Sequence, residues 1–535
     1  MKVTSLFPFG AFLAGVVAQN GNDAVFEPAD FNATEALLNT GFNISAIPEL
    51  AELAKRSNCG SLRAVYGGTK VLSQGTSAYD AFTDAYWSIQ QGSVSPQCVF
   101  KPSQALEVSA VVLIARLTKC PFAVKGGGHA AFAGASGIDD GITVSLENLK
   151  QIKVAPDQKT VDIGPGNRWV NVYTVLDKVG LGVVGGRMAP VGVPGLILGG
   201  GISFFSNKLG WACDNVVSYE VVTASGLVVT ASPTSHSDLY WALRGGGNNF
   251  GIVTNFKLSA FALGKMWGGQ RIYLENTFPD VLDAMYTFAT AGSNSDADAA
   301  QIVSFTSSPA IGNIAIAQLH YAQPVATAKV FDAFNAISHI SSSTDIRTLG
   351  DLTILMNNGS TDAAPLRQTQ WDVTLRVDRD LFTFLINTFY TLFPDVADVE
   401  GGLPTISIQP ITGGQLKGMQ QNGGNALGLD ASKGPFVVMN MSSRWTNAAD
   451  DRRILSFFSN VIKLVKAEAK AKGLDNDYIY MNYASQFQDP LNSYGGANVK
   501  KLKAISSIYD PLSIFLELQP GHFKLGLGAP SSVIS

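Results

Sequence analysis

His129, one of five histidines in the chain, directly follows Gly126-Gly127-Gly128 at the end of a short apolar run, residues 122–124. Two further triplets occur downstream, Gly199 to Gly201 and Gly245 to Gly247, and 23 of the 54 glycines lie between positions 126 and 251. Runs of glycine let backbone N–H groups approach an anion closely and adopt positive φ, which is what a diphosphate cradle requires. A nucleotide-containing cofactor is the natural ligand, and an imidazole beside it can act as a nucleophile and become attached to it. A lone histidine is more often structural than chemical, and any single glycine run can be no more than a turn. Three runs with a histidine at the first argue for a site. No run has the G-x-G-x-x-G spacing between a strand and a helix with an acid about 20 residues on, and no phosphate loop ending in Gly-Lys-Ser/Thr is present. With no H-E-x-x-H and no Cys/His cluster, a metal is not expected.

The elements that must hold these residues read as α+β. Leu106, Val108, Val111, Val112, Ala115 and Leu117 fall at helical spacing and predict a helix over 103–119 with Ser103 as N-cap. The strand at 122–124 runs into the glycines; strands follow at 142–146 and 160–163, then a helix over 169–179 ending at Gly180. A hairpin joins 216–223 to 227–230. From about residue 264, helices at 278–290, 326–340 and 380–392 alternate with strands at 302–305, 314–321 and 437–444, and a long helix spans 450–472. That alternation predicts a second domain, an antiparallel sheet covered by helices on one side. The last part holds a strand-like 480–483 and a helix over 496–508.

Composition limits the partners. The 535 residues are 46% hydrophobic and 15% charged, with net charge −4 and no basic run, so nucleic acid is not an expected ligand. Lys2, an apolar stretch over 6–17 and the small residue Ala18 form a secretory signal with cleavage near Ala18. No second long apolar segment follows, so no membrane partner is expected once it is removed. Export would agree with sequons at Asn32, Asn43, Asn358 and Asn440, each of which needs an exposed loop to be glycosylated. Four cysteines allow three pairings; Cys59 with Cys98 is preferred, while Cys120 and Cys213 are either a second bridge or two buried thiols.

Several motifs together resemble one family. Lys125-Gly126-Gly127-Gly128-His129-Ala130, the stretch from Gly192 through Gly195 to Gly199-Gly200-Gly201, Asp214-Asn215-Val216, and Leu239 to Gly251-Ile252-Val253 are similar to successive landmarks of the FAD-binding domain of the vanillyl-alcohol oxidase / p-cresol methylhydroxylase superfamily. Tyr480-Met481-Asn482-Tyr483 and Tyr509-Asp510-Pro511 resemble the C-terminal segment of its berberine-bridge-enzyme-like branch, and the stretch from Asn425 to Trp445 is most similar to secreted fungal members, many of which serve secondary metabolism. The resemblance covers roughly 90–265 and 475–523. With the signal peptide at 1–18 read from its own residues, the resemblance implies an N-terminal segment at 19–90 packing on the FAD domain, a two-part FAD-binding domain of the p-cresol methylhydroxylase type at 91–264, a substrate domain at 265–474 and a returning segment at 475–535.

It further implies that His129 carries a covalent link to FAD, that Gly126 to Gly128 and Gly199 to Gly201 cradle the diphosphate, and that Gly251, Ile252 and Val253 lie along the adenine side. Many relatives have a second anchor, a cysteine three residues before the position of Val191. Met188 stands there, so a single link is expected. Val191 matches a small residue associated with reaction with O₂. Tyr483 matches a catalytic tyrosine of several relatives and Asn482 its polar neighbour near the flavin; a buried structural tyrosine is the alternative reading, with Tyr480 as second candidate. Trp371 and Trp445 are candidates for the pocket wall. The expected activity is a secreted, monomeric FAD-dependent oxidase acting on a small organic substrate, with O₂ as acceptor and H₂O₂ as by-product. A non-redox cyclase or isomerase, or a flavin-binding protein without activity, are the rival readings.

Overall fold

A computed structural model describes residues 26–28, 30–42, 58–357 and 365–534. The signal stretch, Asn43 and Asn358 lie outside the described residues. Three sheets follow one another along the chain. The first contains β1 (Val71–Ser73), β2 (Cys98–Phe100), β3 (Phe122–Lys125) and β4 (Ile142–Ser145) in the order β1-β2-β4-β3, with β4 parallel to both its neighbours. The helix Ala105–Thr118 makes the crossover that a parallel pair needs, and it is buried over most of its circumference from Glu107 to Arg116, so its residues are apolar nearly all round. Ser103 is not its N-cap. Gln104 occupies that position, and the Glu107 carboxylate in the first turn instead accepts from the Ser103 backbone N–H at 2.8 Å and from its hydroxyl at 3.3 Å. A disulfide joins Cys59 to Cys98 at the start of β2, while Cys120 and Cys213 are separate buried thiols.

The second sheet holds β5 (Ile152–Val154), β6 (Thr160–Ile163), β7 (Leu181–Val183), β8 (Val216–Val222), β9 (Val228–Ala231) and β10 (Ile252–Ala262), all antiparallel, with the 11-residue β10 at its centre. The expected hairpin is the β8–β9 pair. The third sheet has eight antiparallel strands: β11 (Met266–Leu274), β12 (Ala299–Ser308), β13 (Gly312–Tyr321), β14 (Ser341–Ser342), β15 (Asp345–Arg347), β16 (Arg367–Arg376), β17 (Thr405–Ile411) and β18 (Phe436–Trp445). Helices Phe278–Thr287, Arg379–Leu392 and Asp451–Ala471 bury their apolar stripes on one face of it, around Phe305, Trp371, Met439 and Trp445.

Two expected elements differ. The helix expected over 326–340 reduces to turns at Lys329–Phe331 and Asp332–Asn335, enough to bury Phe331 and Phe334; the chain then leaves to the sheet edge, where the Ile340 N–H bonds the Ile272 carbonyl. Residues 480–483 are not a strand but a tight turn, Met481–Tyr483. The Tyr480 N–H donates to Asp372 Oδ2 at 2.6 Å, and the Tyr483 N–H returns to the Tyr480 carbonyl at 2.9 Å. The sequon at Asn440 does not lie in an exposed loop: Asn440 sits inside β18, paired with Ser407 on one side and Asp372 on the other, and lines the cavity. Asn32 is exposed and caps the helix Ala33–Asn39 through its side-chain oxygen.

Candidate active site

A cavity of about 470 Å³ runs between the glycine loops and the open face of the eight-stranded sheet. The loop after β3 forms one wall. A Cβ on Gly127 would lie 2.6 Å from Gly192 Cα, so two backbone segments touch where no side chain fits, and bare backbone borders the cavity. Gly126, Gly127, Gly128, Gly192, Gly195 and Gly199 line this wall, with Ala130 and Val191 beside them. Val124, Leu146, Gly251, Ile252, Val253, Asn482 and Tyr483 also line the cavity. His129 opens on the same space, with its imidazole stacked on the Trp87 indole at 4.2 Å between centroids and 14° between planes. A cavity with stretches of bare backbone, apolar lining residues and a histidine within it fits FAD.

Three expected cofactor residues stand elsewhere. Lys125 is buried behind the glycine loop, its Nζ over the rings of Phe82 at 4.5 Å and Tyr86 at 4.7 Å, and burial pulls its amine down to about 8. It supports the loop rather than facing the cavity. Gly200 and Gly201 turn away with φ of 116° and 91°, and the Gly201 and Ile202 N–H groups each donate to Tyr480 Oη at 3.1 Å. Only Gly199 of that triplet borders the cavity. Tyr480 thereby loses its claim as a base: its oxygen also accepts from Asn482 Nδ2 at 2.9 Å, and burial raises its pKa above the usual phenol range.

Tyr483 is different. Its hydroxyl accepts from Arg187 Nη2 at 2.7 Å and donates to Gln409 Oε1 at 3.3 Å, at the edge of the cavity. Asn482 holds the turn in place, donating to the Leu196 carbonyl at 3.0 Å as well as to Tyr480. Arg187 donates to Gln409 Oε1 at 2.7 Å, which closes a small polar cluster. Trp371 and Trp445 do not wall the cavity. Both face the helices; Trp371 stacks on Phe487 at 5.4 Å, and Trp445 Nε1 donates to Asp451. The sheet instead offers Ser304, Gln318, Gln370, Ser407, Asn440 and Ser442 to the cavity, together with Gln409. Sequence reading missed these and Arg187. A signal existed in β17 and β18, where Ser407, Gln409, Asn440 and Ser442 alternate with Ile406, Ile408, Met439 and Met441.

Residues 96–232 match a family described as an FAD binding domain. An FAD-dependent monooxygenase of Fusarium proliferatum is 37% identical over 460 residues, 82% of this chain and 87% of that protein. The fold is similar to that of 6-hydroxy-D-nicotine oxidase from Arthrobacter nicotinovorans (TM-score 0.69, 20% identity, 83% of this chain and 96% of that one). It is also similar to a berberine-bridge-enzyme-like protein of Physcomitrella patens (TM-score 0.68, 19% identity, 87% and 96%). The glycine wall and the sheet opposite it therefore belong to an FAD-linked oxidoreductase of the vanillyl-alcohol oxidase / p-cresol methylhydroxylase superfamily, in its berberine-bridge-enzyme-like branch.

Proposed function

We propose that the protein is an oxidase that removes two electrons and two protons from a small organic substrate, an alcohol, lactol, amine or phenol of secondary metabolism, and passes the electrons to O₂ to give H₂O₂. The observation that carries this reading is that His129 and Tyr483 open on one cavity, His129 from the glycine wall and Tyr483 beside the polar sheet. FAD, when bound, supplies the two-electron acceptor. His129 is the residue for covalent attachment, and because a thioether cannot form the second linkage at Met188, His129 is the single anchor. The stack on Trp87 holds the imidazole plane. Gly126 to Gly128 and Gly192 leave room for the diphosphate, and Gly251, Ile252 and Val253 for the adenine side. Val191, small and at the cavity wall, leaves space for O₂.

Tyr483 takes the proton from the substrate O–H or N–H, with Arg187 and Gln409 fixing the position of its oxygen. The sheet face orients the substrate and Asn482 keeps the Tyr483 turn against the glycine wall. Export is part of the same reading, supported by the apolar stretch before Ala18 and the exposed Asn32.

Acid precipitation tests the attachment. Wild-type protein retains its yellow colour in the pellet, and His129→Ala gives a colourless one; release of all flavin from wild type would overturn the assignment. Oxygen uptake and H₂O₂ release equal to product formed are expected of the oxidase. Product without oxygen uptake would make it a cyclase or isomerase, and an oxygen atom from ¹⁸O₂ in the product a monooxygenase.

A further inference from the structure

Arg187 sits half-buried in the cavity wall, one residue before Met188. One of its three guanidinium nitrogens, Nη2, is used by Gln409 and Tyr483. Nη1 and Nε bond nothing among the described residues. Arg116, Arg367, Arg379 and Arg453 each pair with a carboxylate; Arg187 pairs with none among the described residues. No other Arg, and no Lys, Asp or Glu, lines the cavity among the described residues. A half-desolvated guanidinium with no counter-charge among the described residues is costly.

We propose that Arg187 is the anion-binding residue of the substrate pocket. The substrate carries a carboxylate, or an enol or phenol acidic enough to be ionised at neutral pH, and this oxyanion binds Nη1 and Nε of Arg187. Because Nη2 already holds Tyr483, the bound anion is placed beside the residue assigned to proton removal, and Arg187 thereby selects which substrate oxygen or nitrogen Tyr483 meets. The neutral amides and hydroxyls of the sheet add hydrogen bonds without adding a competing carboxylate. This inference rests on the oxidase reading only in taking the sheet side of the cavity as the substrate side.

Calorimetric titration of the holoenzyme with benzoate and with its neutral counterpart benzamide tests it. Wild type is expected to bind benzoate at least about tenfold tighter than benzamide, as a charge-assisted pair requires. Arg187→Gln abolishes that preference and Arg187→Lys keeps part of it, each with the flavin content of wild type. Equal binding of the two probes, binding of neither, or a preference unchanged in Arg187→Gln would overturn the proposal. So would flavin loss confined to Arg187→Gln, which would assign the charge to the cofactor. Calorimetry reads the probes whether or not flavin is retained, and absence of flavin from wild type would count against the oxidase reading alone.

Discussion

The two walls of the cavity are built on opposite plans. The first wall is bare backbone at Gly126 to Gly128, Gly192, Gly195 and Gly199, where two segments touch at Gly127 and Gly192, with Val191, Pro194, Leu196 and Leu198 between them. The wall from β12, β13, β16, β17 and β18 is side chain, an antiparallel surface from which Ser407, Gln409, Asn440 and Ser442 reach the cavity while their neighbours Ile406, Ile408, Met439 and Met441 face the helices. A ligand common to a whole family is suited to the first plan, because backbone N–H groups read phosphate without needing variable residues. A ligand that differs between relatives is suited to the second, because any outward position of a strand can change without moving the sheet.

That contrast breaks most visibly if the walls are exchanged as targets. Gly127→Val puts a branched side chain where a Cβ alone would lie 2.6 Å from Gly192 Cα, and should lower the flavin-to-protein ratio at least about tenfold. Ser407→Val on the opposite wall should leave that ratio unchanged and raise KM only; flavin loss from both variants would erase the distinction. Tyr483→Phe, at the seam, should keep its flavin and lower kcat by roughly 10²- to 10⁴-fold, the range for a general base. Unchanged turnover would remove Tyr483 from the chemistry.

The smallest effect concerns the support behind the glycine side. Burial holds Lys524 at about 7, while its Nζ donates to Asn248 Oδ1 at 3.0 Å. The unfolded chain keeps this proton up to the ordinary lysine value of 10.5, so between these values the unfolded state binds more protons and stability rises with pH. Its contribution is present above about pH 10.5 and is lost as pH falls toward 7, with a slope of at most about 1.4 kcal/mol per pH unit. Lys125, held at about 8, acts in the same direction. Thermal melts of Lys524→Met between pH 7 and 9 should show a flatter rise than wild type; an identical slope would mean that Lys524 does not titrate there.

The same contrast explains what could be read from the chain in advance. Glycine marks the backbone wall because no other residue permits its contacts, so Gly126 to Gly128, Gly192 and Gly199 were legible, and His129 with them. Gly200 and Gly201 share the composition of Gly199 but serve Tyr480, a difference set by a phenol 279 residues away from Gly201. The strand Thr160–Ile163 and the helix Arg379–Leu392 were legible from local period. The 326–340 segment was not, since its helical residues lose to a sheet edge that pulls Ile340 onto Ile272. Arg187 carries no local mark at all. Its meaning comes from Gln409 and Tyr483, 222 and 296 residues further along.

These separations impose an order in time. The turn at 480–483 closes the cavity by bonding Gly201, Ile202 and Leu196, so a nascent chain that has produced every glycine loop still lacks part of its pocket. Nearly 300 residues of intervening sheet and helix must be made and collapsed before Arg187 and Tyr483 meet. The cavity is therefore complete only once the turn at 480–483 has been made and docked on Gly201, Ile202 and Leu196.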